Sequence, residues 1–215
     1  MRNSLPRLLS STDLDLGRTA DLLDPPEFRE EGDHVSDLIN RLAGLLGRHQ
    51  YGDDPEPLGE RLMAMGRISE AVLRPMISEV ASLKGWHCDF QVVKRVDGVI
   101  GSLDGIVTGP TGIEAVVEIK SRYAAPGDPT FVDAPGKGDT HWRYMCQTMA
   151  YCYMTVCQTV WMPVLYFPRG GPDVQLKLHV VHFEPQELVS NWNALLNMRR
   201  KDGNPRAIGS GRVGQ

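Results

Sequence analysis

Three charged residues stand out in the most apolar part of the sequence. In GIEAVVEIKSR, residues 112–122, Glu118 and Lys120 lie two positions apart near the end of a run that is otherwise typical of a buried strand. Asp104 lies in the preceding strand pattern, IGSLDGIVTG. Side chains on one face of adjacent strands approach within about 5 Å, so Asp104 and Glu118 can meet. Two carboxylates with one open side suit Mg²⁺ or Mn²⁺, which take oxygen ligands and retain several waters.

The lysine adds a positive charge to this pair. Strand alternation places residues 113, 115, 117 and 119 on an apolar face, and Glu118 and Lys120 on the other. A lysine beside a metal site can hold or deprotonate a water, or neutralise charge that develops on a phosphate. Charged residues are almost never fully buried unless paired. The polar face therefore either lines a site or borders solvent, and a solvent-facing pair at a strand end is the competing interpretation.

The surrounding pattern predicts the elements that position these residues. Helical periodicity runs from about residue 60 to Gly85, with Pro75 predicted to kink it or to start a second helix. Two strands follow, joined by the hairpin signal Asp97-Gly98. The strand of Glu118 comes third, then a loop over residues 123–140, a helix, two strands and a last helix. The order predicts an α/β sandwich with an αβββαβ core, in which a mixed central sheet is flanked by helices.

The chain divides by composition. Residues 1–58 contain five prolines and one convincing helix, VSDLINRLAGLLGRH, and are predicted to form an accessory arm or cap. Residues 59–202 form the predicted core, and residues 203–215 a flexible tail. The net charge is −4, but residues 1–60 carry 13 acids and 6 basic residues and the remainder 14 and 17, so the body has a net charge of +3. A mildly basic body is compatible with phosphate binding without indicating it.

Four pieces of sequence together resemble a known family. They are GRISE (66–70) on the first core helix, Asp104, Glu118-Ile119-Lys120, and QTMAY (147–151) on the helix after the lysine. Their types and order resemble the motifs of the PD-(D/E)xK nuclease superfamily, and in particular those of its RecB and lambda-exonuclease-like branch. The resemblance covers about residues 60–167. The first motif has Leu before the Asp where the family often has Pro.

The resemblance implies a metal-dependent deoxyribonuclease. Asp104, Glu118 and the Ile119 carbonyl would hold one Mg²⁺ or Mn²⁺. Glu70 would bind a second metal or an ordered water, with Glu79 as the rival residue on the same helix. Lys120 would orient the attacking water.

The helix after the long loop carries a second group of candidates. Gln147 and Tyr151 are four residues apart and share a helix face with Arg143 one turn earlier. Such a stripe could hold a phosphate or stack a base at a strand end. The competing interpretation is that Tyr151 is a core residue.

The branch resemblance favours an exonuclease that acts on the ends of linear DNA in recombination, repair or phage DNA processing. The alternatives are a restriction- or repair-type endonuclease and an inactive nucleic-acid-binding subunit, and RNA is not firmly excluded. A helicase or single-strand-annealing partner and a homo-oligomer are compatible with the sequence. No apolar run approaches the roughly 20 residues that span a bilayer, so no membrane partner is expected. The sequence shows no signal-peptide pattern and its four cysteines suit reduced thiols, so the expected location is the cytoplasm, which the resemblance implies is that of a bacterial or phage-infected cell.

The four cysteines could suggest an iron–sulfur cluster, which some RecB-type nucleases carry. Their positions are Cys88, Cys146, Cys152 and Cys157. A compact cluster site usually shows short Cys-x₂-Cys spacings, and none occur. We therefore expect buried free thiols and no iron–sulfur cluster.

Overall fold

A computed structural model describes residues 30–48, 56–124, 139–168 and 174–201. The elements run in the order β1 (Asp33–His34), α1 (Val35–Leu45), α2 (Glu56–Ser82), β2 (His87–Val96), β3 (Val99–Gly109), β4 (Gly112–Val117), β5 (Lys120–Ala124), α3 (Asp139–Thr155), β6 (Thr159–Pro168), β7 (Gln175–His182) and α4 (Pro185–Lys201). The predicted fold class is confirmed: the chain is a mixed α/β protein with a mixed sheet flanked by helices. Most of the predicted 123–140 loop and the whole 203–215 tail lie outside the described residues.

The first half of the sheet is an antiparallel meander. Strands β2, β3 and β4 follow one another, and β2 and β3 are joined at Asp97 and Gly98, which have φ values of 51° and 74°. Left-handed values at both central residues are what a two-residue type I′ hairpin requires. The hairpin predicted from the Asp-Gly signal is therefore confirmed, and it carries Asp104 in its second strand.

The strand predicted over residues 113–122 is interrupted at Glu118 and Ile119. Both parts pair parallel with β6, and the register is continuous, because Val117 pairs with Trp161 and Lys120 with Val164. The backbone N–H of Glu118 still donates to the Trp161 carbonyl, at 3.0 Å. β4 and β5 are thus two parts of one strand. Its pairing with β3 ends at the interruption, whereas its pairing with β6 continues.

The helices cover the two faces of the sheet differently. On one face, α2 packs Leu73, Ile77 and Ala81 against the apolar side of β4. On the other face, α1, α3 and α4 share the larger core with β3 and β6. Helix α1 contributes Val35 and Leu38 to this core, so the helix of the predicted N-terminal arm packs as part of the main body. The division at residue 58 stays a prediction.

Helix α2 continues past Pro75 to Ser82, so the proline does not start a second helix. The chain then leaves α2 through a Schellman turn: Gly85 has a φ of 72°, its N–H donates to Ser82, and the next N–H donates to Ala81. Gly85, at which the sequence predicts the helix to stop, is thus the residue whose left-handed conformation ends α2. None of the helices that the structure describes has the length and apolar character needed to cross a membrane.

Candidate active site

Asp104 lies where the β3–β4 ladder ends. The last pairs are Ile106 with Val116 and Gly105 with Val117. Continuing this antiparallel register places Asp104 opposite Glu118. At that point the Asp104 carboxylate accepts a hydrogen bond from the Ile119 backbone N–H, at 2.6 Å. A side chain of β3 thus takes the place of a ladder bond, and the strands part around two carboxylates on one face.

Glu118 is buried at this parting point. Its side chain is 1% exposed and that of Lys120 17%. The Lys120 ammonium donates to Glu118 Oε1. Within the part of the chain that the structure describes, the second oxygen, Oε2, is buried with no hydrogen-bond partner. The predicted polar face therefore lies inside the protein against α3, not at the solvent.

Burial raises the pKa of Glu118 from its ordinary 4.5 to about 8, with Asp104 and Glu70 adding repulsion and Lys120 opposing the rise. For Lys120, burial by itself would lower the pKa, but the negative charges of Glu118 and Asp104 outweigh it and hold the pKa well above 10.5. The site therefore favours a cation. It contains one ammonium already, and its buried acid would ionise more readily beside another positive charge.

Glu70 approaches the site from α2. Its charge contributes to the raised pKa of Glu118. Glu70 also accepts a hydrogen bond from Arg74 at 3.1 Å, as an i,i+4 pair. Glu79, the rival acid on the same helix, is exposed and does not figure among the charges that act on Glu118.

Helix α3 places two of its three predicted residues in direct contact. Gln147 Nε2 donates to Tyr151 Oη at 2.9 Å. Tyr151 is 3% exposed, and burial, followed by the Glu118 charge, raises the pKa of its hydroxyl. Arg143 is buried as well, at 4% exposed. Tyr151 thus lies in the core, as the competing interpretation held, and its hydroxyl also lies within the field of the carboxylates.

The close approach of α3 depends on Gly101 in β3. A Cβ at this position would lie 2.7 Å from the Met154 sulfur and 3.2 Å from Tyr151 Cε1. The missing side chain therefore lets the helix seat Tyr151 against the strand that carries Asp104.

Sequence reasoning missed Tyr144. The Lys120 ammonium lies 5.0 Å from the centroid of its ring, within the range of a cation–π contact. Tyr144 is three residues before Gln147 and seven before Tyr151, so all three share a face of α3. Extending the Gln-x-x-x-Tyr motif back by four residues reached Arg143; a step of three residues, which also stays on one helix face, would have found Tyr144.

The residues present provide oxygen donors but no complete metal cage. Among the described residues, no three His, Cys, Asp or Glu side chains are grouped so that they could hold one ion. The four cysteines are free, and Cys146, Cys152 and Cys157 are buried. The buried, unpaired Oε2 of Glu118 and the adjacent Asp104 carboxylate nevertheless fit a hard cation that keeps waters in its remaining positions.

Comparisons with known proteins find similarity only among solved structures. No protein-family model matches the chain, and no curated protein matches it. The protein designated SSO0001 is 15% identical, with a TM-score of 0.49, over 89% of this chain and 87% of the other. An alkaline exonuclease from Laribacter hongkongensis is 15% identical, with a TM-score of 0.42, over 79% and 87%. A phage-related exonuclease from Haemophilus somnus 129PT is 12% identical, with a TM-score of 0.45, over 78% and 79%. Two of these three neighbours are thus exonucleases by name. All three likenesses are distant.

Proposed function

We propose that this chain is a metal-dependent nuclease of the PD-(D/E)xK type that hydrolyses phosphodiester bonds in DNA. The observation that carries the proposal is the buried Glu118, which has Lys120 on one oxygen and no hydrogen-bond partner for the other among the described residues. A buried, half-satisfied carboxylate costs stability. Its place beside Asp104 gives it a use, because the two acids can bind a cation together.

Asp104, Glu118 and the Ile119 carbonyl would hold Mg²⁺ or Mn²⁺. Glu70 would serve a second ion or an ordered water, after giving up its bond to Arg74. When bound, the ion would supply a Lewis acid for the phosphoryl oxygens and would lower the pKa of a water.

The chain's own residues position the reactants. The Ile119 N–H fixes the direction of the Asp104 carboxylate. Lys120 is held by Glu118 and by the Tyr144 ring, so its ammonium has a fixed place from which to orient the attacking water or to neutralise charge on the phosphate. Gln147 holds the Tyr151 hydroxyl, which keeps its own proton because burial raises its pKa. That hydroxyl is thus a donor for a phosphate oxygen.

The preference for DNA ends rests on the sequence resemblance to the Gln-x-x-x-Tyr branch. The test is incubation of the purified protein with linear duplex DNA and with covalently closed circles of the same sequence. We expect the linear form to be degraded and the circle to survive. Early linearisation of the circle would identify an endonuclease on the same core. Binding of both forms without cleavage in any metal would indicate the inactive subunit.

The metal and the helix α3 residues have separate tests. Mg²⁺ and Mn²⁺ should support cleavage, and Ca²⁺ should allow binding with little turnover, because its coordination is looser. Activity that persists in EDTA would contradict a metal site. Tyr151→Phe keeps the buried ring and removes the donor, so it should slow cleavage about tenfold, the effect of a hydrogen bond worth roughly 1–2 kcal/mol. A normal rate in a folded Tyr151→Phe protein would leave Tyr151 with a packing role alone.

A further inference from the structure

The face that carries Glu118 and Lys120 continues across the sheet to its edge. Paired residues on adjacent strands point to the same face. Lys120 pairs with Val164 on β6, and Val164 pairs with Lys177 on β7. One step further along the strands, Arg122 pairs with Tyr166, and Tyr166 with Gln175. Lys120, Arg122 and Lys177 therefore lie on one face, with Tyr166 between the last two.

Direct contacts tie the β6 and β7 residues of this face together. The Lys177 ammonium lies 5.8 Å from the centroid of the Tyr166 ring. The same ring meets His179 edge-on, and Tyr166 Oη and His179 Nε2 are 3.0 Å apart. Tyr166 is 7% exposed and Lys177 is exposed. Tyr166 is thus held in place by its packing, and the Lys177 ammonium lies over its ring at the solvent-exposed surface.

The distances between Lys120, Arg122 and Lys177 suit the phosphate backbone of a nucleic acid that extends away from the Glu118–Lys120 site. Adjacent strands are about 4.8 Å apart, so Lys177 lies about 10 Å across the sheet from Lys120. Arg122 lies about 7 Å along β5 from Lys120. Among the described residues, Lys177 contacts the Tyr166 ring and makes no ion pair.

We propose that Arg122 and Lys177, supported by Tyr166, form a phosphate-binding track that guides the backbone of a nucleic acid strand toward Lys120. The inference rests on the proposed nuclease function and extends it, since it gives the strand a path from the edge strand β7 across β6 to the site. Contacts to phosphates position a strand without reading its sequence. The track therefore serves any DNA sequence equally.

Substitution of Lys177 tests the track, with Lys84 as a matched control. Lys84 also lies over an aromatic ring, 4.9 Å from the centroid of Trp86, but it follows α2, away from this face. Binding of a fluorescent DNA oligonucleotide would be measured in Ca²⁺ over a range of salt concentrations, for Lys177→Ala, Lys177→Arg and Lys84→Ala. Loss of one phosphate contact should weaken binding about three- to tenfold and make the salt dependence shallower by about 0.7–0.9 in slope. We expect this change in Lys177→Ala, and wild-type behaviour in Lys177→Arg and Lys84→Ala.

Steady-state cleavage in Mg²⁺ separates positioning of the strand from chemistry. Lys177→Ala should raise KM and leave kcat unchanged, because the side chain contacts only the distant backbone. A Lys177→Ala protein with the affinity and salt slope of Lys84→Ala would overturn the track while the wild type still cleaves. A wild-type protein that neither binds nor cleaves DNA would overturn the nuclease proposal itself, and the track with it.

Discussion

Replacement of both members of the Glu118–Lys120 pair should leave the fold as stable as before, or more stable. Removal of two ions from water costs several kcal/mol per ion, and mutual attraction offsets this only when the remaining polar atoms are satisfied. Here Glu118 is 1% exposed and Lys120 17%, and Glu118 Oε2 has no hydrogen-bond partner in the described part of the chain. Asp104 adds repulsion to Glu118.

The magnitudes follow from this arrangement. The Glu118→Gln, Lys120→Met double variant should equal the wild type or exceed it by about 1–4 kcal/mol. Lys120→Met alone should lose up to about 3–5 kcal/mol at a pH above the raised pKa of Glu118, where the buried carboxylate beside Asp104 has no counter-charge. Glu118→Gln alone should lose less, since Asp104 remains close enough to stabilise the ammonium.

Urea unfolding followed by circular dichroism gives these free energies, in EDTA so that bound metal adds nothing. The control is a pair that joins separate elements: Arg199 of α4 donates to Asp33 of β1 at 2.9 Å and also to the Asp97 carbonyl. The Asp33→Asn, Arg199→Gln variant should lose about 1 kcal/mol or more. If the Glu118–Lys120 double variant loses more than the control, the pair is structural and our reasoning is wrong.

Three further predictions address the packing, the turns and the thiols. Gly101→Ala should cost about 1–3 kcal/mol and slow cleavage, because the new methyl group would lie 2.7 Å from a side chain of α3; unchanged unfolding and activity would contradict the close approach. Val156 ends α3 with a φ of 56°, where Gly85 ends α2 with 72°, so Val156→Gly should stabilise by about 1 kcal/mol and Gly85→Ala should destabilise by a similar amount; the same sign in both variants by thermal unfolding would refute this. Burial raises the pKa of Cys88 to about 11 and that of Cys146 to about 12, so iodoacetamide at pH 8 should react roughly 100-fold more slowly with Cys88 and roughly 1,000-fold more slowly with Cys146 in the folded protein than in urea. Anaerobically purified protein should be colourless and free of iron.

Much of the fold could be predicted because local signals agree with it. The Asp97-Gly98 dipeptide specifies the hairpin. The register of the hairpin next to this turn then fixes which residue of β3 pairs with which residue of β2. The alternation around Glu118 correctly placed Ala115, Val117 and Ile119 on the face that packs against α2. It was wrong for Ile113, which packs against the other core because the register shifts between Val107 and Thr108. The break in the strand at Glu118 and Ile119 has no local signal. It arises because the Asp104 carboxylate binds the Ile119 N–H, and that contact joins residues 15 apart.

The candidate site was predictable as a set of residues and less so as an environment. The adjacency of the two strands predicts that Asp104 and Glu118 meet, but only the register shift between Val107 and Thr108 brings them opposite each other. The sequence also does not indicate that Glu118 is almost fully buried, since burial depends on how closely α3 approaches. The contact of Tyr144 with Lys120 likewise depends on the position of that helix. The pairing of Glu70 with Arg74 follows from an i,i+4 spacing that could have been read in the sequence.

The cleavage rate of the wild type and of Glu118→Gln, on an end-labelled linear duplex in Mg²⁺, tests the central claim most directly. The substitution keeps the size of the side chain and removes the carboxylate that the proposed site requires. With folding checked by circular dichroism, we expect the wild type to cleave, EDTA to stop it, and Glu118→Gln to be slower by about 10²-fold or more. Cleavage by folded Glu118→Gln at the wild-type rate would contradict the assignment of the Asp104–Glu118–Lys120 cluster as the active site.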